Sequence, residues 1–225
     1  MKGKEETPRL LLRMYERMYR YFGPRHWWPA ESPFEVIVGA VLTQNTAWGN
    51  VERAIRNLKE RRLLSLDGIL STPLDRLAEL IRPSGYYNLK AKRLKAVVRF
   101  IAEHYQGNLD RMREESLEKL REKWLTVYGV GPETADSILL YALNKPIFVV
   151  DAYTKRIFSR HGLVDLNDSY EDVQAFFMRH LPCEVQLFNE YHALVVETGK
   201  TFCRKKPKCE DCPLNGIGKS GKTLT

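Results

Sequence analysis

A glycine turn followed by an aspartate constrains the fold more than any other feature of this 225-residue chain. Gly129-Val130-Gly131 separates two segments whose apolar residues recur at helical spacing, and Pro132 follows directly. Proline suits a first helical position because its φ is fixed and its missing N–H has no partner there. The pattern predicts two helices joined by a tight turn. An extended apolar run over 146–150 then delivers Asp151 to the start of a further helix.

This turn has properties that suit an anionic partner. Gly129 and Gly131 let the main chain approach another surface closely, and the N–H groups at the start of the next helix attract an anion. The same sequence also fits an ordinary αα-hairpin within a helical bundle. Asp151 likewise has two readings, as the N-cap of its helix or as a carboxylate that takes part in chemistry.

Helical signals dominate the rest of the chain, and no alternating strand pattern of useful length interrupts them. Thr7 and Pro8 predict the start of the first helix, and the capping-box sequence at 32–35 predicts the second. Polar residues at 43–46 and a turn at 84–88 separate later helices. The sequence therefore predicts an all-α protein.

The charge balance favours a polyanionic partner, since Lys and Arg number 36 against 28 Asp and Glu, a net charge of +8. No apolar run approaches the roughly 20 residues of a membrane span, and the chain opens without a signal-peptide pattern. We therefore expect a cytoplasmic, nucleoid-associated protein with no membrane partner. In that compartment the four cysteines favour metal ligands or free thiols over disulfides.

Four motifs together carry a family resemblance. They are GAVLTQNT at 39–46, RPSGYYNLKAKRL at 82–94, GVGPETA at 129–135 and VVD at 149–151. Their order and spacing resemble the endonuclease III superfamily of DNA glycosylases, over about Trp27 to Cys212. The Trp-Trp-Pro sequence at 27–29, together with Trp48 two residues after LTQNT, is most similar to the 3-methyladenine DNA glycosylase III branch.

The resemblance implies a two-lobed helix-hairpin-helix DNA glycosylase fold. A six-helix barrel domain that includes the hairpin would span 35–145. Residues 1–34 and 146–225 would form a second helical domain with a C-terminal cysteine loop, and the active cleft would lie between the lobes.

The implied function is base-excision repair by a monomer that acts on double-stranded DNA containing a damaged base. Such an enzyme flips a nucleotide out of the duplex and hydrolyses its N-glycosidic bond. Asp151 matches the catalytic aspartate, whose carboxylate stabilises the positive charge that develops on the sugar. Trp27, Trp28 and Trp48 are candidates for the base pocket, because aromatic faces attract a cationic alkylated purine such as 3-methyladenine.

Other positions match DNA-contacting residues of the superfamily. Gln44 and Tyr86 occupy the positions from which side chains enter the base stack. Phosphate contacts are expected from two places. In the hairpin they are Gly129, Gly131 and Thr134, and in the basic stretch among the C-terminal cysteines they are Lys205 and Lys206.

The resemblance also bears on strand cleavage. Bifunctional members carry a lysine two residues after the last hairpin glycine, where this chain has Glu133. A carboxylate cannot form a Schiff base, so little or no lyase activity is expected. Two alternatives remain open: an endonuclease III-like glycosylase and lyase for oxidised or mismatched pyrimidines, and a non-catalytic protein that binds DNA structure.

The cysteines resemble the iron–sulfur loop of the superfamily. Cys203, Cys209 and Cys212 form C-x5-C-x2-C, in which the first spacing is one residue short and no later cysteine follows. Cys183 is the remaining cysteine and could fold back to complete a [4Fe–4S] cluster. The alternatives are a vestigial loop or a zinc site with the same ligands. No nucleotide cofactor is expected.

Overall fold

The protein is described by a computed structural model over residues 2–217, with side chains from residue 7 onward. Within these residues twelve α-helices form: α1 (Lys2–Phe22), α2 (Pro33–Leu42), α3 (Trp48–Glu60), α4 (Leu66–Ser71), α5 (Leu74–Leu80), α6 (Tyr87–Tyr105), α7 (Leu109–Glu114), α8 (Leu117–Leu125), α9 (Pro132–Ser137), α10 (Ala152–Arg160), α11 (Tyr170–His180) and α12 (Val185–Thr201). A 3₁₀ turn, Arg82–Ser84, precedes α6, and a π-helical turn, Ile138–Ala142, continues α9. The all-α fold expected from the sequence is confirmed. None of these helices is long and apolar enough to cross a lipid bilayer.

Side-chain caps explain where several helices begin. Ser32 accepts a hydrogen bond from the Glu35 N–H at 3.2 Å and starts α2, as the sequence predicts. The Glu35 carboxylate accepts from the N–H of Glu31 rather than that of Ser32, and it also pairs with Lys59 at 2.9 Å. The start of α2 is therefore joined to α3 by charge as well as by apolar packing.

The first helix differs from the expectation. It begins at Lys2 instead of at a Thr7 cap, and it carries Pro8 inside. A proline inside a helix removes one hydrogen bond and crowds the carbonyl four residues earlier, so Pro8 is an unfavourable residue within α1. Thr7 is buried within this helix and does not cap it.

The described chain divides into two compact units. The hairpin unit contains Trp28–Lys145, and its core is built around α2, in which every residue from Glu35 to Leu42 is buried. Lys145 closes this unit, because its ammonium donates to the carbonyl oxygens of Arg113 and Glu115, both at 2.7 Å.

The second unit, here called the aspartate unit, contains the described residues up to Trp27 and those from Pro146 onward. Its core is aromatic: the rings of Phe148 and Phe177 stack at 4.1 Å, and Phe158 meets Phe177 edge-on at 4.7 Å. Tyr191 on α12 is fully buried and donates to the Leu11 carbonyl at 2.8 Å. This contact fixes α1 against α12.

Candidate functional site

The hairpin is held by a buried ion pair between its two helices. Arg121 on α8 donates to both carboxylate oxygens of Asp136 on α9, with Nε–Oδ1 at 2.8 Å and Nη2–Oδ2 at 3.2 Å. Asp136 is 0% exposed, so water screens this pair weakly. Between the helices, Gly129 adopts a φ of +82°, and Gly131 is extended and caps α9.

Gln44 is fastened to this hairpin. Its Nε2 donates to the Gly129 carbonyl at 3.0 Å and to Thr134 Oγ1 at 2.9 Å, and its Oε1 accepts from the Arg93 guanidinium. The predicted gap-filling side chain thus joins the α2–α3 loop to the hairpin and to α6. The Thr134 hydroxyl, which was expected to face phosphate, is buried against Gln44.

Gly129 is required at its position for two reasons. Its positive φ is a conformation that L side chains rarely adopt. A Cβ at this residue would also lie 2.2 Å from Arg93 Cγ. The turn and α6 are therefore in direct contact through the Arg93 side chain.

Tyr86 stands at the tip of the other predicted insertion loop. It is 69% exposed and adopts a φ of +46°, directly after Gly85 at +69°. Asn45, next to Gln44, has a φ of +54°. Both predicted insertion loops, the α2–α3 loop and the loop before α6, therefore contain a non-glycine residue in the left-handed region, where strain persists only if the surroundings enforce it.

Lys90 lies beneath both loops and was not identified from the sequence. Its side chain is buried, and Nζ donates to the carbonyl oxygens of Leu42 at 2.8 Å and Ser84 at 2.6 Å. Burial, with a smaller contribution from the nearby Arg93 charge, lowers the pKa of Lys90 to about 8. The ammonium form therefore still predominates at neutral pH.

Two of the three predicted pocket tryptophans meet in the hairpin unit. Trp28 contacts Trp48 edge-on at 5.1 Å and Tyr141 at 5.2 Å. The Trp48 indole N–H donates to Glu52 at 2.8 Å. A Cβ added at Gly39 would lie 3.2 Å from Trp28 Nε1, so this ring packs directly on α2. Tyr141 is the third member of this cluster. The sequence did not single it out, because its place in a helical pattern is equally typical of a core residue.

Trp27 belongs to the other unit. Its ring is half-buried, and the Lys200 ammonium lies over it at 5.6 Å from the ring centroid. The adjacent tryptophans therefore belong to different units, Trp27 to the aspartate unit and Trp28 to the hairpin unit.

Asp151 caps α10 through a complete capping box. Its Oδ1 accepts from the Thr154 N–H at 2.7 Å and from Thr154 Oγ1 at 2.8 Å, while its own N–H donates to Thr154 Oγ1 at 3.4 Å. The N-cap reading of the sequence is therefore correct. The cap uses one carboxylate oxygen, Oδ1, and leaves Oδ2 for another contact.

That second oxygen faces His192. Asp151 Oδ2 lies 3.7 Å from His192 Nε2, and the carboxylate side chain is 11% exposed. Burial raises the pKa of Asp151, but the imidazole of His192 and the hydrogen bonds from Thr154 outweigh it and hold the pKa below its ordinary value. Asp151 is therefore ionised at neutral pH. The positive end of the α10 dipole favours the same charge state.

The position of the lyase lysine, occupied by Glu133, and the remaining predicted phosphate-contacting positions are accessible. Glu133 is exposed in the first turn of α9 and Gly131 is open to solvent, with no atom within 4 Å of an added Cβ. In the aspartate unit, Lys205 and Lys206 are exposed in the loop after α12.

Three of the cysteines line one small apolar cavity at the end of α12. Cys203, Cys209 and Cys212 share it with His161 and Arg160, and Arg160 Nη1 approaches Cys203 Sγ at 3.2 Å. Burial raises the pKa of the Cys212 thiol. Over residues 7–217, no group of three or more His, Cys, Asp or Glu side chains is arranged to hold a metal ion.

Cys183 lies at the opposite end of α12 from the other three cysteines, so the structure does not bring the expected four-thiolate set together. The helix has 17 residues, a length of about 25 Å. Cys183 precedes this helix and Cys203 follows it. Its Sγ contacts the Pro146 carbonyl at 3.7 Å. The four cysteines of this chain therefore do not fit one [4Fe–4S] cluster.

Comparisons with known proteins place the chain in a family. Residues 38–183 match the HhH-GPD superfamily of base excision DNA repair proteins. A candidate DNA repair glycosylase of Methanocaldococcus jannaschii, MJ1434, is 51% identical over 213 residues, which cover 94% of this chain and 96% of that protein. Endonuclease III of Bacillus subtilis is 30% identical over 192 residues, which cover 85% of this chain and 83% of that protein.

A solved structure shares both fold and sequence. The crystal structure of the H. pylori 3-methyladenine DNA glycosylase MagIII, bound to 1,N6-ethenoadenine, matches with a TM-score of 0.74 and 31% identity. The match covers 86% of this chain and 96% of that chain. The helices and their glycine hairpin thus define a helix-hairpin-helix protein of the DNA glycosylase class. The chain belongs to the HhH-GPD superfamily and is a DNA glycosylase of this base excision repair family.

Proposed function

We propose that this glycosylase is monofunctional and acts on alkylated purines such as 3-methyladenine in double-stranded DNA. It hydrolyses the N-glycosidic bond and leaves the abasic strand intact. The observation that carries the proposal is Asp151, a carboxylate whose pKa is held below its ordinary value at the N-terminus of α10. That charge is available at neutral pH without any conformational change.

The chemistry needs an anion beside the sugar. When the bond between C1′ and the base breaks, its electron pair leaves with the base and the sugar becomes oxocarbenium-like. A carboxylate stabilises that cation and can orient the water that adds to C1′ and then loses a proton. Thr154 fixes Asp151 Oδ1 with two hydrogen bonds, so the carboxylate is oriented before substrate arrives.

The aromatic cluster supports an alkylated purine as substrate. An N3- or N7-alkylated purine is cationic, and an aromatic face attracts a cation by about 0.5–2 kcal/mol. Trp28, Trp48 and Tyr141 supply three such rings in one unit. A cationic base takes the electron pair and becomes neutral, so no acid is required to protonate it. The likeness to the H. pylori 3-methyladenine glycosylase supports the same substrate class.

Glu133 supports the monofunctional assignment. It is exposed two residues after Gly131, in the first turn of α9. In bifunctional relatives a lysine at this position attacks C1′ and forms a Schiff base, which permits strand cleavage. A carboxylate has no amine with which to do so.

Released base is the direct test of the proposal. Duplex DNA treated with a methylating agent is incubated with the protein, and the free bases are separated by chromatography. We expect release of 3-methyladenine by the wild type and by Asp75→Asn, a control at an exposed position in the first turn of α5. Asp151→Asn should release almost none. If the wild type releases no alkylated base, the proposal fails.

The second candidate function is an endonuclease III-like glycosylase and lyase for oxidised or mismatched pyrimidines. The 30% identity to the Bacillus subtilis endonuclease III favours it. Borohydride treatment during turnover separates the two candidates, because only a Schiff-base intermediate is trapped as a covalent protein–DNA complex. We expect no trapped complex with the wild type, and efficient trapping would select the second candidate.

A further inference from the structure

We propose that Lys90 is a positioning residue that fixes the two insertion loops relative to each other, so that Gln44 and Tyr86 meet a damaged duplex at a set separation. This inference rests on the proposed function, because it concerns how the glycosylase holds the gap left by a flipped base. It requires neither contact of Lys90 with DNA nor any part in the chemistry.

The Lys90 ammonium lies between two main-chain carbonyl groups, each at the end of a helical segment. Lys90 is 1% exposed in the first turn of α6. Its Nζ donates to the carbonyl of Leu42, the last residue of α2, and to that of Ser84, the last residue of the 3₁₀ turn. Leu42 is two residues before Gln44, and Ser84 is two residues before Tyr86. Lys90 therefore holds each loop two residues before the side chain that the loop presents, Gln44 in one and Tyr86 in the other.

Lysine suits this position for physical reasons. The last carbonyl groups of a helix have no partner within it, and here one compact cation satisfies two such ends. A buried ammonium is costly unless it is hydrogen-bonded, so moving either loop away would leave an unpaired charge inside the unit. The two carbonyls therefore constrain each other through Lys90.

The loops need this constraint because their own backbones are strained. Asn45 and Tyr86 both adopt a positive φ, which persists only when the surroundings enforce it. Arg93, one turn further along α6, reaches Gln44 Oε1 and lies against Gly129. Through these two cations α6 contacts both insertion loops and the hairpin turn.

A fixed separation has a predictable effect on damage recognition. Side chains that are already ordered lose little entropy when they enter the base stack, so the flipped state becomes more favourable. Binding to undamaged duplex relies on phosphate contacts and does not need insertion. Loss of Lys90 should therefore reduce discrimination between damaged and undamaged DNA while leaving undamaged-DNA affinity unchanged.

The test compares Lys90→Met with Lys95→Met. Lys95 lies on the same helix and donates to the Leu70 carbonyl at 2.7 Å, so its replacement also removes a lysine–carbonyl hydrogen bond, but one away from both loops. Affinity is measured at one salt concentration for a duplex with a tetrahydrofuran abasic analogue and for the intact duplex. A 2-aminopurine opposite the analogue reports insertion by its fluorescence.

We expect Lys90→Met to lower the ratio of the two affinities by about tenfold, the loss of roughly one charged hydrogen bond, and to reduce the fluorescence change. Lys95→Met should keep the wild-type ratio within about twofold. In a Tyr86→Ala background, Lys90→Met should cause no further loss of discrimination, because Lys90 acts by setting the separation between Gln44 and the Tyr86 ring, and that ring is gone. An equal further loss in that background would indicate a general structural role and overturn the inference.

The outcomes for the two proposals are separate. If wild-type protein releases base but Lys90→Met retains wild-type discrimination and fluorescence, the positioning inference is wrong and the proposed function stands. If wild-type protein itself neither prefers the abasic duplex nor releases base, the proposed function fails and the inference with it.

Should Lys90→Met not fold, Lys90→Arg replaces it, since the longer, planar guanidinium keeps the charge but displaces the two carbonyls. Wild-type discrimination by Lys90→Arg would overturn the inference.

Discussion

Asp151 Oδ2 lies 3.7 Å from His192 Nε2, while Asp151 Oδ1 is occupied by Thr154. One carboxylate thus caps α10 with one oxygen and keeps a second, charged oxygen beside the imidazole, where the proposed catalytic role would use it. Substitutions can separate these roles, because an amide keeps the cap and removes the charge.

Asp151→Asn should reduce the rate of base release by about 10²-fold or more, the cost of removing a preorganised charge-stabilising group. Asparagine caps helices as well as aspartate does, so the cap is retained and the loss of stability should be smaller than that of Asp151→Ala. Asp151→Ala should lose the same activity and also about 0.5–2 kcal/mol of stability. Single-turnover kinetics and urea unfolding of the two variants measure both effects. Near-normal turnover by Asp151→Asn would remove Asp151 from the mechanism.

His192→Leu should shift the acid limb of the pH–rate profile to higher pH. In the wild type the pKa of Asp151 is below its ordinary value of about 3.9, so the charge and its contribution to stability are present above that pH and are lost as pH falls through the lowered pKa. Without the imidazole, only the hydrogen bonds from Thr154 oppose the effect of burial, so the pKa of Asp151 should rise. Base release measured from about pH 4 to pH 7 should show the shift. His104→Leu, at an exposed position, is the control, and identical profiles for both variants would contradict the prediction.

Trp48→Ala and Trp28→Ala should impair excision of 3-methyladenine more than that of hypoxanthine, a neutral base. Each substitution removes a cation–π attraction of about 0.5–2 kcal/mol in addition to stacking that all bases share. Competition assays on the two lesions give the ratio, and Tyr21→Ala, which removes an exposed ring in α1, is the control. Trp27→Ala in the same assay decides whether the third tryptophan acts on the base. An equal loss on both lesions would mean that the rings shape the pocket without recognising charge.

Glu133→Lys should confer strand nicking and a borohydride-trappable complex, both of which the proposed monofunctional wild type lacks. The substitution places an amine in the first turn of α9, where the positive helix end lowers its pKa and leaves more of it neutral for attack. Loss of the favourable Glu–dipole interaction should cost up to about 1 kcal/mol of stability. A gel assay on abasic duplex reads the nicking. A variant that stays inert would show that position 133 does not approach the sugar.

The four thiols should differ in reactivity towards maleimide. Cys183 is exposed and should react first, whereas burial raises the pKa of Cys212 and leaves less of the reactive thiolate there. Peptide mass spectrometry at successive times measures each site. Cys183→Ser should remove the fast phase and leave the absorbance spectrum and thermal unfolding unchanged. Common protection of all four cysteines would show that they share one site after all.

Local sequence was sufficient for the class of fold. Long amphipathic patterns, capping serines and the Gly-Val-Gly turn specify helices and one hairpin through interactions between residues near in the chain. The short helices α4 and α7 were missed because each has six residues, fewer than two turns, over which an apolar periodicity cannot be recognised. Asp151 could also be identified locally as a cap, because the carboxylate and the N–H that donates to it lie three residues apart.

Contacts between distant residues were decided by the tertiary structure alone. The burial of Lys90 beneath Leu42 and Ser84 has no local signal, because a lysine in a helical pattern normally faces solvent. The hydrogen bond from Gln44 to the Gly129 carbonyl has none either, because it joins a polar loop residue to a partner 85 residues away in the sequence. Folding also assigned the adjacent Trp27 and Trp28 to different units. It separated Cys183 from the other cysteines by the length of α12, because a rigid helix sets a distance that spacing in sequence does not reveal.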